Sequence, residues 1–179
     1  QLSLAGTRFE VQFQDPADSL KSSREELMRR LRAEGLDRVE FMFSPNVGED
    51  LKPLSRIASG GELSRIMLAM KSILATSSSV ETIVFDEVDS GIGGATAEVV
   101  GDKLRSLAGY HQILCITHLP QIASKGKTHF RVEKEVLDGR TRTVISELDH
   151  EERVREIARL LGGKKVSQKA VAHARELLG

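Results

Sequence analysis

Tryptophan is absent from this sequence of 179 residues, aromatic residues make up only 4% of it, and cysteine occurs once. The single Cys115 excludes an internal disulfide and fits a protein of the reducing cytoplasm. Equal numbers of basic and acidic residues, 26 each, exclude a global electrostatic attraction to nucleic acid but allow a local basic patch. No apolar run approaches the length of a membrane span or a signal sequence, so we expect no membrane association.

The N-terminal part of the sequence has the two-residue period of half-buried strands. Apolar and polar residues alternate over residues 7–13 and again over 38–43, which predicts a pair of strands. Between them, Ser23 and Glu26 have the spacing of a capping box at the start of a short helix, and Gly35 suits its end.

From residue 59 onward the pattern changes to helices that alternate with short apolar strands. Helical spacing over the segment after Ser59 is followed by a strand over 82–86, a helix over about 94–108 and a strand over about 111–116. Such alternation predicts an α/β fold with a mainly parallel sheet covered by helices.

The C-terminal part predicts a hairpin and two helices. Asp138 and Gly139 form a strong signal for a two-residue turn, and pairing across it places Val132 opposite Ile145. Two further elements complete the prediction: a helix that begins at a capping box of Asp149 and Glu152, and a last helix over about 166–178.

Residues that could bind a ligand or take part in a reaction occur at three places in this pattern. Ser59, Gly60, Gly61 and Glu62 begin the first amphipathic helix. Their S-x-x-E spacing is itself a capping box, but two consecutive glycines weaken a helical turn and suit a phosphate that approaches bare amides at the positive end of the helix.

The other two places are the ends of the predicted parallel strands. Asp86 and Glu87 follow one strand, and His118 ends the next. A lone histidine at such a position is more often a surface residue than a catalytic one. Because ligands bind beyond the carboxyl ends of strands in open parallel sheets, the three together predict one site.

At these residues the chain resembles the ATP-binding-cassette ATPases, and specifically their SMC-like branch. "SGGE" is similar to the signature motif, "TIVFDE" to Walker B with its adjoining glutamate, "VDSGIGG" to the D-loop and "ITH" to the switch histidine. The longer stretches "LSRIASGGELSRIMLAMKSILA", "CITHLPQIA" and "ARLLGG" narrow the resemblance to bacterial double-strand-break repair ATPases of that branch.

The resemblance implies the C-terminal lobe of a two-lobed ATPase head over residues 7–179, with residues 1–6 as the remnant of a coiled-coil arm. It implies ATP and Mg²⁺ as ligands. Asp86 would hold the metal ion, Glu87 would orient the attacking water, and His118 would contact the γ-phosphate.

The resemblance also implies contributions to a second head. In this family two heads enclose two ATP molecules, so Ser59, Gly60 and Gly61, with Glu62 in the same motif, would bind the nucleotide held by the opposite protomer. Asp89 would lie at the partner head and couple the two sites.

A Walker A loop, G-x-x-x-x-G-K-[ST], is needed for a complete site of this kind and is not found in the sequence. Gly126, Lys127 and Thr128 match its last three positions, but they lead into the predicted strand around Phe130 rather than into a helix. The family carries this loop in an N-terminal lobe, so we expect the chain, which begins at Gln1, to be part of a longer protein.

These observations leave three interpretations. The first is half of the head of a cytoplasmic, nucleoid-associated DNA repair ATPase, with the N-terminal lobe, a second head and DNA as partners. The second is another SMC-like or cassette ATPase, such as a transporter subunit. The third is a non-enzymatic module for dimerisation or DNA docking. The DNA-binding surface cannot be placed from the sequence.

Overall fold

The computed structural model of the chain describes residues 2, 6–14, 23–31, 33, 35, 38–56, 59–77, 79–137, 139–163 and 166–179. These residues form two compact units, one within residues 3–59 and one that consists of residues 60–179 together with Leu2. Most of the segment 1–6, for which a coiled-coil remnant is predicted, lies outside the described residues.

The first unit is built on the predicted pair of strands. Strands β1 and β2 pair antiparallel, with Val11 opposite Phe41, and the rings of Phe9 and Phe41 stack at a centroid distance of 5.7 Å. A two-residue strand β3, which the sequence pattern does not predict, pairs with β2. The elements are β1 (Arg8–Gln14), helix α1 (Arg24–Arg30), β2 (Arg38–Ser44), β3 (Lys52–Pro53) and a 3₁₀ turn (Leu54–Arg56).

The capping box predicted for α1 stays a prediction. The side chain of Glu26, one of its two members, lies outside the described residues. The prediction that the helix stops at Gly35 is wrong, because α1 ends at Arg30; Gly35 lies beyond the helix with a φ of 107°, which glycine adopts without strain.

The second unit contains the predicted helices and parallel strands. Strands β4 and β5 run parallel, with Val84 opposite Leu114, and the apolar side chains of Phe85, Val88, Val100 and Leu104 are buried in this unit. The elements are α2 (Gly60–Ile73), β4 (Thr82–Phe85), α3 (Gly94–Leu107), β5 (Gln112–Cys115) and α4 (Pro120–Ala123).

The predicted hairpin is present with the predicted register. Strands β6 (Phe130–Leu137) and β7 (Arg140–Glu147) pair antiparallel, and Val132 faces Ile145. Gly139 turns the chain with a φ of 72°, and Asp138 lies outside the described residues. Residues 126–128 precede β6 and open no helix, as expected if this Gly-Lys-Thr triplet is not part of a Walker A loop.

Two packed helices, α5 (His150–Gly162) and α6 (Gln168–Leu178), follow the hairpin. The predicted capping box is confirmed: Asp149 accepts from the Glu152 amide at 2.8 Å, and Glu152 accepts from the Asp149 amide at 3.0 Å. Val154, Ile157 and Ala158 of α5 pack against Ala174 of α6.

None of the helices in the described part of the chain is both long and apolar enough to cross a bilayer. The observed arrangement is thus the predicted α/β fold, with helices beside a parallel strand pair, a strand pair near the N-terminus and a hairpin near the C-terminus.

Candidate active site

The two adjacent carboxylates lie at the carboxyl end of β4, as predicted. Phe85 ends the strand and is buried, whereas Asp86 and Glu87 are exposed. The Asp86 side chain accepts a hydrogen bond from the Glu87 backbone amide at 2.9 Å through Oδ1. Val88 is fully buried, so the two exposed acids lie between two buried residues, Phe85 and Val88.

Glu87 has an unusual backbone conformation. Its φ is 57°, and it is the one non-glycine residue among those described with a positive φ. The left-handed region costs an ordinary residue about 1–2 kcal/mol because Cβ approaches the following carbonyl oxygen. Strain of this kind is concentrated at functional sites, where the surrounding structure holds it in place.

The Glu87 carboxylate lies against the first residue of α2. A Cβ atom added to Gly60 would overlap Glu87 Oε2, so a side chain at residue 60 would displace the carboxylate. The amino end of a helix carries partial positive charge and favours an anion. The predicted water-orienting residue and the predicted signature helix therefore meet within one chain.

The second glycine of the pair brings α2 close to the loop that follows β4. A Cβ atom on Gly61 would lie 2.8 Å from Ser90 Cβ and 2.9 Å from the Ser90 carbonyl oxygen. Close packing within the chain therefore gives a reason for Gly61. The interpretation that the two glycines expose amides to a phosphate stays a prediction.

Two further residues of α2 bind the same loop. The Ser64 hydroxyl donates to the Asp86 carbonyl at 2.7 Å. Arg65 Nη1 donates to the Ser90 carbonyl at 2.8 Å and to the Val88 carbonyl at 3.4 Å. Three carbonyls of the loop that carries Glu87 are thus held by consecutive residues of the helix that begins at Gly60.

Asp89 connects the loop to the end of β5. Its side chain is 5% exposed, and Oδ2 accepts from Thr117 Oγ1 at 2.6 Å and from the His118 amide at 2.9 Å. His118 Nδ1 lies 3.0 Å from the same oxygen, while the His118 side chain as a whole is 73% exposed. Asp89 therefore fixes the histidine of the "ITH" motif; its predicted role at a partner head stays a prediction.

Cys115 ends β5 near these acids and is not suited to reactivity. Burial raises the pKa of the Cys115 thiol to about 12, and the negative charges of Asp89 and Asp86 act in the same direction. A thiol with this pKa is protonated at neutral pH and is a poor nucleophile and metal ligand.

The predicted ligands can be compared with the residues that the structure places here. In the described part of the chain, no group of three or more His, Cys, Asp or Glu side chains is arranged to hold a metal ion. Mg²⁺ in nucleotide sites is commonly bound through one or two carboxylates together with phosphates and water. The exposed Asp86 carboxylate fits such a partial role.

The structure brings most of the predicted site residues together. Asp86, Glu87 and Asp89 share one loop, Gly60 contacts Glu87, and His118 contacts Asp89. Ser59 directly precedes α2, and Glu62 lies in the first turn of this helix. The capping box predicted for these two residues stays a prediction.

Sequence reasoning did not find Ser64, Arg65 and Thr117. For Arg65 a signal was present, because residues 61, 65 and 68 share one face of α2 and all three are buried. An arginine on a buried face needs polar partners, which indicates a packed functional loop nearby.

The sequence comparisons converge on one kind of protein. The chain is 54% identical over 144 residues to the DNA repair protein RecN of Xylella fastidiosa, covering 80% of this chain and 26% of that protein. It is 51% identical over 146 residues to RecN of Deinococcus radiodurans, covering 82% and 25%. With RecN of Treponema pallidum it shares 44% identity over 180 residues, covering 99% and 30%. No protein-family model matches the chain.

Solved structures that resemble the chain include SMC head domains. The SMC head domain of Pyrococcus yayanosii, with a coiled coil and joint, matches with a TM-score of 0.57 at 20% identity over 92% of this chain and 27% of that one. The SMC head domain of Pyrococcus furiosus matches with a TM-score of 0.52 at 18% identity over 86% of this chain and 33% of that one. At these identities the likeness establishes the fold.

The fold is that of the SMC head domains, and the chain carries stretches similar to the signature, Walker B, D-loop and switch motifs. Within that class its sequence is of the RecN type. The chain spans about a quarter to three tenths of the length of the RecN proteins that it matches.

Proposed function

We propose that this chain supplies one half of an ATP-hydrolysing head in a DNA repair protein of the RecN type. The observation that carries the proposal is the connection of three motifs within one chain. The loop with Asp86 and Glu87 lies on the first turn of α2 and is bound through Asp89 to His118. A degenerate module without catalytic function has no need to hold these groups together.

The residues have distinct roles in this proposal. ATP supplies the phosphoryl group. Asp86 would hold a Mg²⁺ ion, which would neutralise the charge of the phosphates. Glu87 orients the attacking water and accepts its proton, and His118 contacts the γ-phosphate.

The remaining predicted residues act between two heads. Ser59, Gly60 and Gly61, together with Glu62, bind the nucleotide held by a second copy of the head, and Asp89 lies near that copy. A helix that begins at two glycines and places its amino end at an anion is suited to this task.

An N-terminal lobe with the Walker A loop completes each head in this proposal. Support comes from the outer face of the parallel strands, where Val84, Leu114 and Ile116 are exposed by 61%, 46% and 61%. A two-stranded sheet with one open apolar face is marginal by itself and is stabilised by further strands or a covering layer. DNA is the proposed substrate of the complete protein, which acts in the repair of double-strand breaks in the cytoplasm, at the nucleoid.

Two substitutions in the full-length protein test the roles of the carboxylates. Glu87→Gln keeps the shape of the side chain but removes the proton acceptor, so we expect ATP binding, a rate of hydrolysis reduced about 10²–10⁴-fold, and accumulation of a head dimer. Asp86→Asn weakens the metal contact, so we expect impaired Mg²⁺-dependent binding and no accumulation of that dimer.

Single-turnover hydrolysis and molecular mass, each with and without ATP, distinguish the two variants. Glu81→Gln is the matched control, because Glu81 is an exposed glutamate that precedes the opposite end of β4. Hydrolysis by Glu87→Gln at the parent rate, or equal behaviour of the Glu87 and Asp86 variants, would refute the division of roles.

The contribution of the signature to a second head has its own test. Ser59→Arg in the full-length protein should abolish turnover while each head still binds ATP. Loss of a helix cap alone, by Ser59→Ala, costs roughly 0.5–2 kcal/mol of stability and should leave the reaction intact if capping is the only role. Normal turnover of a Ser59→Arg homodimer would show that Ser59 does not bind phosphate across the interface.

A further inference from the structure

Arg65 is a buried charge to which the proposed reaction assigns no role. It lies on α2 one turn after Gly61 and is 5% exposed. Burial lowers the pKa of Arg65, and the nearby Glu62 carboxylate opposes this shift. Arginine is rarely buried unless its donors are used, because desolvation of the guanidinium is costly. Arg65 therefore requires hydrogen-bond acceptors in its buried surroundings.

The loop after β4 supplies these hydrogen-bond acceptors. Arg65 Nη1 donates to the carbonyls of Ser90 and Val88, and the neighbouring Ser64 donates to the carbonyl of Asp86. The three acceptors belong to alternate residues, so one turn of α2 holds one side of the loop from residue 86 to residue 90. Hydrogen bonds from a charged donor are shorter and stronger than those between neutral groups.

The same loop is held from its other side by the end of β5. Asp89 lies between the two residues whose carbonyls Arg65 binds, and its carboxylate accepts from Thr117 and His118. Glu87 lies within this doubly held segment and has the strained backbone noted above. The loop cannot move relative to α2 without breaking the hydrogen bonds of Arg65.

We propose that Arg65 is a positioning residue that makes the start of α2 and the loop 86–90 move as one body. This inference rests on the proposed function. When Gly60 and Gly61 contact the nucleotide of the opposite head, Arg65 transmits the resulting position of α2 to Glu87 and, through Asp89, to His118. Arginine suits this role because both bonds come from Nη1, whose N–H bonds are fixed in the guanidinium plane, whereas a lysine ammonium rotates freely.

Arg65 has a buried Nε atom without a hydrogen-bond partner among the described residues. Arg153 provides a close match elsewhere in the same unit. It also donates to two loop carbonyls, those of Lys127 at 2.9 Å and Gly126 at 2.5 Å, and its Nε is likewise buried without a partner in the described part of the chain. Arg153 contacts none of the motif residues through these bonds, so it is the matched control.

The experiment compares Arg65→Gln, Arg65→Lys and Arg153→Gln in the full-length protein. We expect both Arg65 variants to lower kcat roughly 10–100-fold, because displacement of a catalytic group by about 1 Å has effects of this size, while KM for ATP changes less than about threefold. Arg153→Gln should lower the melting temperature at least as much as Arg65→Gln and keep the parent kcat. A purely structural role of Arg65 would give the two glutamine variants the same kcat.

Glu87→Gln is measured in parallel so that the two hypotheses fail separately. Parent turnover of Glu87→Gln would refute the proposed function. An inactive Glu87→Gln together with parent kcat in both Arg65 variants would refute the positioning role alone. If Arg65→Gln does not fold, Ser64→Ala is measured in its place, because it removes only the hydrogen bond to the Asp86 carbonyl. A lowered kcat at unchanged KM supports the inference. The parent kcat overturns it.

Discussion

The buried acceptor at Asp89 gives a prediction that can be measured on the 179-residue chain itself. Asp89→Leu keeps the approximate volume of the side chain but removes the oxygen that Thr117 Oγ1 and the His118 amide use. Asp89→Asn keeps one carbonyl oxygen that can occupy the same place. The two variants therefore separate loss of the acceptor from loss of the charge.

The expected magnitude follows from what each donor can do after the change. The His118 ring is largely exposed and regains water, so its loss costs little. The His118 amide and the Thr117 hydroxyl face a buried position, and each unsatisfied buried donor costs about 1–3 kcal/mol. We expect Asp89→Leu to lower the free energy of unfolding by about 2–5 kcal/mol, and Asp89→Asn by roughly 0.5–2 kcal/mol, since its bonds persist without charge assistance.

Urea unfolding followed by far-ultraviolet circular dichroism measures both changes without a tryptophan probe. Asp102→Asn is the control, because Asp102 is 52% exposed and its ion pair with Lys125 at 3.0 Å should contribute about 0–1 kcal/mol. An effect of Asp89→Leu no larger than that of Asp102→Asn would refute the conclusion that Asp89 holds the histidine segment. A double-mutant cycle with Thr117→Val should show non-additivity.

Three further predictions concern neighbouring positions. Gly61→Ala places Cβ 2.8 Å from a Ser90 carbon, so it should destabilise the chain by about 1–3 kcal/mol despite its better helix propensity. Gly162→Ala, with its nearest contact at 3.5 Å, is the control and should be neutral. Equal shifts of the two variants in urea midpoint would contradict this prediction. Glu87→Asn should stabilise the chain by roughly 0.5–1 kcal/mol, because asparagine tolerates the φ of 57° better than glutamate does. The same variant should abolish turnover of the full-length protein. A loss of stability would argue against backbone strain at residue 87. Cys115, with a pKa of about 12, should react with iodoacetamide at pH 8 at least ~100-fold more slowly in the folded chain than in urea. Fast alkylation of the folded protein would contradict the burial of Cys115. Because folding raises the pKa of Cys115 from 9.0, the protonated thiol favours the folded state at neutral pH, and this contribution to the free energy of unfolding is lost as pH rises from about 9 towards 12.

The parts of the fold that the sequence predicts best have local causes. The alternation over β1 and β2, the register across Gly139 and the capping box of Asp149 and Glu152 each depend on residues that are close in sequence or opposite across one turn. Helix and strand limits agree within one or two residues for the same reason, except that α1 ends at Arg30 and not next to Gly35. The two-residue strand β3 carries too short a pattern to be recognised.

The site was predictable only in part, because its geometry depends on contacts between distant segments. The motifs identified Asp86, Glu87 and His118, and their common location followed from the parallel strands. The hydrogen bonds of Arg65 join residues 23 and 25 positions apart, and no local pattern specifies them. Likewise, the positive φ of Glu87 results from the packing of its loop against α2 rather than from its own preference.

The glycine pair shows how a motif can have two physical explanations. From the sequence, Gly60 and Gly61 are understood as a place for phosphate. In the folded chain Gly61 is required for close packing against Ser90, whereas a side chain at residue 60 would displace only the Glu87 carboxylate. The two explanations are compatible, because the packing that requires a small residue also brings the start of α2 to the loop that carries Glu87.

The central claim is that this chain supplies Asp86, Glu87 and His118 to an ATP site that another lobe completes. The most direct test measures ATP hydrolysis by the 179-residue chain, by the proposed N-terminal lobe with a Walker A loop, and by the two produced together. We predict no turnover for either piece alone, turnover for the pair, and loss of that turnover when the chain carries Glu87→Gln. Robust hydrolysis by the 179 residues alone, or undiminished hydrolysis by the pair with Glu87→Gln, would contradict the account.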